Sequence, residues 1–141
     1  MATLPPRLPD WPERLSDAVE AARGRPFSWG THDCALFAAD CARAITGHDP
    51  LAAVRGTYGT AQGAARVLRR LGGDDLGALA ALVGGPAIPV AWARRGDWVL
   101  IEEMPEKALG VCLGLNAAFV TERGLTFRPT ARCAAAWKIG A

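Results

Sequence analysis

The sequence predicts an α+β fold in which helices from the first two thirds of the chain pack on an antiparallel sheet from the last third. Before residue 95, apolar residues recur at helical spacing between capping residues. From Gly96 onward they form short β-prone runs separated by turn residues. Helices followed by strands are typical of the α+β class, and 141 residues fit one domain, so we expect a single domain over residues 1–141.

Each predicted helix begins at a polar residue that can accept hydrogen bonds from the first turn. The first helix is predicted from about Trp11 to Arg23, because Asp10 and Glu13 form a capping-box pattern. Asp49 is expected to open a short helix, Thr60 a helix ending near Leu71, and Asp74 a helix ending near Val83.

The helix from about Cys34 to Thr46 is predicted to be the central one. Asp33 can cap its start, and Gly47 can end it. Its residues are apolar nearly all round and leave only Asp40 and Arg43 for water. A helix with so little polar surface is typical of a buried core element.

Four short runs are predicted to form the sheet, at residues 97–101, 109–113, 117–121 and 125–128, with a further edge strand at 136–139. Turn residues separate them at 104–106, 114–116 and 123–124. Because such short links cannot cross over the sheet, neighbouring strands should be antiparallel.

Composition argues against several classes of partner and ligand. The net charge is +2, from 16 basic and 14 acidic residues with no basic run among aromatics, so we expect no nucleic-acid partner. The uncharged stretch from Leu76 to Ala93 contains glycines and prolines, so we expect no membrane span, and the N-terminus lacks the apolar run of a secretion signal. The four cysteines form no C-x-x-C pair, so we expect free thiols and neither a metal nor another cofactor.

The candidate site is the stretch from Trp29 to Cys34. Cys34 stands in the first turn of the central helix, where unpaired N–H groups and the helix dipole favour a thiolate, so it is a candidate nucleophile. From the residues alone, the alternative interpretation is a buried thiol on a core helix, since free cysteines are often simply buried. His32 is the nearest candidate base, and its alternative is an exposed loop histidine.

Three neighbours of Cys34 are candidate substrate contacts. Trp29 can supply an aromatic wall and Gly30 a backbone open to close approach, although both also suit an ordinary turn. Asp33 is expected to act first as a helix cap and second as a functional group.

Several motifs resemble the NlpC/P60 (papain-like) superfamily: Asp33-Cys34-Ala35-Leu36-Phe37 opening a helix, Arg95-Gly96-Asp97-Trp98 opening a sheet, and Leu109-Gly110-Val111 in a later strand. The stretch PFSWGTHDCALFAAD, with a W-G-x-H-D-C motif, and the terminal AAWKIG are similar to a family of small phage and prophage proteins found among tail genes.

The resemblance implies a papain-like NlpC/P60-type fold with Cys34 as nucleophile and a catalytic histidine at the start of the following strand. That position holds Ala108, and the expected third polar residue would fall near 119–121, where no histidine occurs. Losing a general base costs about 10²–10⁴-fold in rate. A degenerate peptidase is therefore expected.

Three functions remain open. The first is a structural or binding module of a phage or phage-like tail, in contact with hub, tail-tip and distal tail proteins, located in the virion tail or in the bacterial cytoplasm before assembly. Exposed tryptophans would be its interface anchors, with core packing as the alternative for each. The second is an active cysteine peptidase or amidase that cleaves peptidoglycan peptides with Cys34, using His32 or a partner's base. The third is another thiol role, or metal binding, at Cys34 and His32.

Overall fold

The computed structural model describes residues 4–103 and 107–140. Within these residues, four α-helices precede a five-stranded antiparallel sheet, which confirms the α+β class and the predicted order of elements. The helices are α1 (Trp11–Ala22), α2 (Cys34–Thr46), α3 (Ala61–Arg70) and α4 (Leu76–Gly84). The strands are β1 (Trp98–Ile101), β2 (Ala108–Cys112), β3 (Asn116–Thr121), β4 (Gly124–Pro129) and β5 (Ala135–Trp137). Short 3₁₀ segments lie at Ala52–Val54, Val90–Trp92 and Thr130–Arg132.

The strand order is β4-β3-β2-β1-β5. Each of the four pairings is antiparallel, as the short links predict. The predicted edge strand is confirmed as β5, which pairs with β1. The predicted turn at residues 104–106 lies outside the described residues.

Two of the predicted helix caps are confirmed and three are wrong. The helix expected to open at Asp49 is the 3₁₀ segment Ala52–Val54, whose N-cap is Leu51, and the Asp49 carboxylate accepts from the N–H of Leu51 before that segment begins. Thr60 accepts a hydrogen bond from the N–H of Gly63, and Asp33 accepts one from the N–H of Leu36. The cap of α4 is Asp75 rather than Asp74. The predicted capping box of α1 does not form, because the Asp10 carboxylate accepts from Arg14 at 2.8 Å and makes no cap bond.

Alternate residues of the sheet pack into two different apolar clusters. Leu109 and Val111 pack with Phe37, Cys41 and Ile45 of the buried helix α2. The intervening residues of each strand, including Val99, Ile101 and Phe119, form a second cluster that is covered by Ile88, Val90 and Ala93. The central position predicted for α2 is confirmed, with Arg43 its only exposed residue.

A buried ion pair joins the N-terminal arm to the sheet and to the C-terminal segment. The Arg7 guanidinium donates to Asp97 Oδ1 at 2.8 Å, and the two side chains are 5% and 1% exposed. Arg7 also donates to the carbonyls of Ile139 and Arg95. Asp97 accepts from the backbone N–H groups of Arg94 and Ile139. The Gly96-Asp97 turn is thus fixed from two distant parts of the chain.

The tryptophans divide between core and surface. Trp98 and Trp137 are buried, and the Trp98 indole N–H donates to the Ala38 carbonyl at 3.0 Å, so these two cannot serve as interface anchors. Trp11 and Trp29 are partly buried. Trp92 is 72% exposed and is the tryptophan available to a partner.

Candidate functional site

The Cys34 thiol lies where the first turn of α2 meets the start of β2. Cys34 is partly buried and packs against both apolar clusters. The backbone N–H of Leu109 faces the thiol and favours its ionised form, as do the N–H groups of Cys34 and Ala35 in the first turn of the helix. The structure therefore brings the predicted nucleophile next to the strand that begins with Ala108.

Burial affects the pKa of the Cys34 thiol more than these N–H donors do. Desolvation, assisted by the negative charge of Asp33, raises the pKa of the Cys34 thiol to about 11 against the N–H groups that would lower it. At neutral pH the thiol is therefore protonated, and a protonated thiol is a weak nucleophile.

The positions that would carry a base and its orienting partner hold apolar side chains. Ala108 is buried in the second cluster, and Phe119 lies in the same cluster. Phe119 pairs with Gly110, where an added Cβ would collide with the Phe119 ring. A methyl group and a phenyl ring neither accept a proton nor orient an imidazole.

The expectation that His32 is exposed is wrong. Its backbone makes a tight turn with Ser28 through two hydrogen bonds, and its ring is 1% exposed with its centroid 6.4 Å from that of Phe37. Neither ring nitrogen has a hydrogen-bond partner among the described residues. Burial, with the nearby charge of Arg25, lowers the pKa of His32, so the ring is neutral at pH 7.

The Asp33 carboxylate is buried and accepts three hydrogen bonds from its own chain. Oδ1 accepts from the N–H of Leu36, and Oδ2 accepts from the N–H of Gly30 at 3.0 Å and from the Tyr58 hydroxyl at 2.5 Å. Burial and this bond to Asp33 raise the pKa of Tyr58, so the hydroxyl stays a donor. Asp33 thus ties the α1–α2 loop, the helix and the segment at Tyr58 together.

Replacing Asp33 by alanine is expected to lower the free energy of unfolding by about 2–4 kcal/mol. The change removes the helix cap and leaves the Tyr58 hydroxyl and the Gly30 N–H without their acceptor. Urea denaturation measures the loss. Asp33→Asn keeps one acceptor oxygen and should lose less, and equal losses for the two variants would contradict this role.

The backbone of Gly30 was expected to allow the close approach of a substrate, but it is the segment around Tyr58 that approaches it. Gly30 has φ = +80°, and a Cβ there would collide with the Tyr58 carbonyl oxygen. The N–H of Gly56 donates to the Gly30 carbonyl at 2.9 Å. Gly30 therefore packs against the segment around Tyr58 rather than lining an open cleft.

A cavity of about 250 Å³ opens beside Cys34. Trp29, Asp33, Cys34 and Tyr58 line one side of it, and Lys107 with apolar residues of α3, α4 and residues 51–54 lines the rest. His32 and Gly30 are not among its lining residues. Three of the five predicted site residues, Trp29, Asp33 and Cys34, are therefore brought together at this cavity.

Two polar residues of the cavity wall, Tyr58 and Lys107, were not predicted as site residues. Tyr58 is the only tyrosine and stands between Gly56 and Gly59, a turn context that was a usable signal. Lys107 lines the cavity directly before β2, and only its position next to Ala108 could have indicated it.

The four cysteines are free thiols, as expected. Over residues 4–103 and 107–140, no group of three or more His, Cys, Asp or Glu side chains is placed to hold a metal ion. The same residues contain no helix that combines the length and the hydropathy of a membrane span.

These features define a small α+β domain with a protonated thiol at the start of its central helix, beside an apolar cavity. The chain belongs to the family described as "Domain of unknown function (DUF6950)", whose model matches residues 6–139. A comparison with curated proteins found no match.

The buried thiols make stability fall at alkaline pH. Burial raises the pKa of Cys34 and of Cys133 to about 11, and raises that of Cys41 further. Unfolded thiols ionise at about 8.5, so between these values the unfolded chain binds fewer protons than the folded one. The free energy of unfolding is therefore expected to fall from about pH 9 toward pH 11, by up to about 1.4 kcal/mol per pH unit for each thiol.

Urea unfolding under reducing conditions, from pH 7 to 10.5, measures this slope. Cys34→Ala and Cys133→Ala should each make it shallower. A free energy of unfolding that is constant over this range would contradict the raised values.

Proposed function

We propose that this protein is a tail-tip or hub component of a phage or phage-like tail, with a papain-like NlpC/P60-type fold that serves as a structural or binding module. In this proposal the domain is a degenerate cysteine peptidase. The observation that carries it is the contact between Cys34 at the start of α2 and the start of β2, where Ala108 stands in place of a base.

The arrangement supports a peptidase ancestry because its parts follow the expected spatial order. A thiol begins the central helix, the Gly-Asp turn opens the sheet, and the next strand starts beside the thiol. The chemistry supports a loss of activity, since the thiol is protonated at neutral pH and its would-be partners are apolar. Asp97, in the Gly-Asp turn, is engaged by Arg7 in a structural ion pair.

The alternative function, an active peptidase or amidase on peptidoglycan peptides, would need a base from a partner chain or His32 as the base within this chain. His32 faces Phe37 in the core and does not line the cavity with Cys34. Activity with His32 would require the turn at Ser28–His32 to open, which breaks two backbone hydrogen bonds.

Muropeptide hydrolysis separates the two functions. Wild type, Cys34→Ala and His32→Ala are compared at equal concentration, and the degenerate-module proposal expects no hydrolysis above the Cys34→Ala background. Hydrolysis by wild type that both substitutions abolish would establish the peptidase instead.

The tail assignment is tested in the phage or prophage that encodes the protein. We expect mass spectrometry of purified particles to detect it, or deletion to arrest tail assembly, with Cys34→Ala restoring particles as well as wild type. Normal particles after deletion, with the protein absent from wild-type particles, would contradict the assignment. The variant Trp92→Ala tests the partner contact itself. Trp92 is largely exposed, so its replacement should weaken binding to a tail partner without unfolding the domain.

A further inference from the structure

The cavity beside Cys34 has the size and lining of a site for a small apolar ligand. Its volume is about 250 Å³, and its wall includes Leu51, Ala64, Leu68 and Leu79. An apolar cavity of about 150 Å³ stays dry and binds benzene. Taking about 30 Å³ for each water-sized group, the space fits a chain of about eight carbons.

Helix α3 covers this space without filling it. Val67 is the only buried residue of α3, whereas Ala61, Ala64 and Ala65 line the cavity with short side chains. Larger apolar residues at these positions would close the gap against α2 and α4. At these three positions of α3 the wall is therefore built from small residues, whereas a close-packed helix contact would use large ones.

The polar groups of the cavity wall determine which head group an apolar ligand should carry. The Asp33 carboxylate is occupied by its three donors, and the Cys34 thiol is uncharged at neutral pH. Lys107 is the only cation among the described residues that line the cavity. Its ammonium pairs with Glu102 at 3.2 Å, but the two side chains are 44% and 51% exposed. Such an exposed pair contributes little, so an incoming anion can replace it.

We infer that this cavity binds the alkyl chain of a medium-length aliphatic carboxylate, with the chain between α2, α3 and α4 and the carboxylate at Lys107. Burial of the chain supplies the affinity, and the ammonium supplies the preference for an acid over an alcohol or an amine. This ligand site goes beyond the proposed tail role and does not depend on it.

Calorimetric titration of the full chain with butyrate, hexanoate and octanoate tests the inference. Affinity is expected to rise about fourfold per methylene up to about eight carbons and then to level off at dodecanoate. Octanol and octylamine should bind more weakly than octanoate. Lys107→Met should weaken octanoate and leave octanol unchanged. Octanoate should also slow alkylation of Cys34, which reports occupancy of this cavity in the wild-type protein without any substitution.

Ala64→Leu is expected to reduce octanoate affinity at least tenfold by filling the cavity, and Ala21→Leu is its matched control, because Ala21 is an exposed helical alanine outside the cavity. Circular dichroism checks that both variants fold. Affinity independent of chain length, octanol binding as well as octanoate, or unchanged Cys34 alkylation under saturating octanoate would each overturn the inference. So would binding of N-acetyl-phenylalaninamide in preference to octanoate, which would indicate a peptide side chain as the occupant.

Discussion

Replacing Asp97 by alanine is expected to lower the free energy of unfolding by about 3–5 kcal/mol, because it leaves the Arg7 guanidinium buried without its counter-charge. Burial already lowers the pKa of Arg7, with Asp97 as the main opposing influence. The substitution also removes the acceptor of two backbone N–H groups, those of Arg94 and Ile139. Urea denaturation, with the same m value fitted to both proteins, measures the loss in free energy of unfolding.

Asp10→Ala is the matched control for that substitution. Asp10 pairs with Arg14 at the same 2.8 Å, but both side chains are about half exposed, so no measurable loss is expected. Equal free energies of unfolding for the Asp97→Ala and Asp10→Ala variants would contradict this role. They would show that the buried pair does not hold the N-terminal arm and the C-terminal segment to the sheet.

Replacing Phe37 by alanine is expected to cost about 3–5 kcal/mol. Phe37 is fully buried in α2, and its ring packs in the cluster that joins α1 and α2 to the sheet, so truncation leaves a cavity. Denaturation midpoints measure the loss. Leu115→Ala is the control, because Leu115 is 92% exposed and should change stability by no more than about 0.5 kcal/mol. A Phe37→Ala midpoint equal to that of wild type would mean that α2 is not central.

The class of fold and the limits of its main helix could be predicted because local signals agreed. The predicted bounds of α2 are the observed ones, since Asp33 caps its start and Gly47 ends it with φ = +77°. The cap of α4 was wrong by one residue because Asp74 and Asp75 are both good caps, and tertiary packing decides between them.

The buried ion pair of Arg7 and Asp97 could not be predicted, because its partners are 90 residues apart and sequence periodicity carries no information at that range. The same reason applies to two contacts of the cavity wall, the hydrogen bond from the Tyr58 hydroxyl to Asp33 and the position of Lys107. Their sequence neighbours mark a turn at Tyr58 and a strand after Lys107, but not what the two side chains contact. His32 was misjudged because a loop position normally implies exposure, whereas its tight turn with Ser28 directs the ring into the core.

The central claim is that the Cys34 thiol has no general base beside it. The most direct test is the rate of Cys34 alkylation as a function of pH, followed by mass spectrometry of the Cys34 peptide. The rate is expected to rise with an inflection near the thiol pKa of about 11. Ala108→His should move this inflection to lower pH by placing an imidazole beside the thiol, whereas the size control Ala108→Leu should not. An inflection in wild type well below the free value of about 8.5, lost in His32→Ala, would show a base-activated thiol and contradict the proposal.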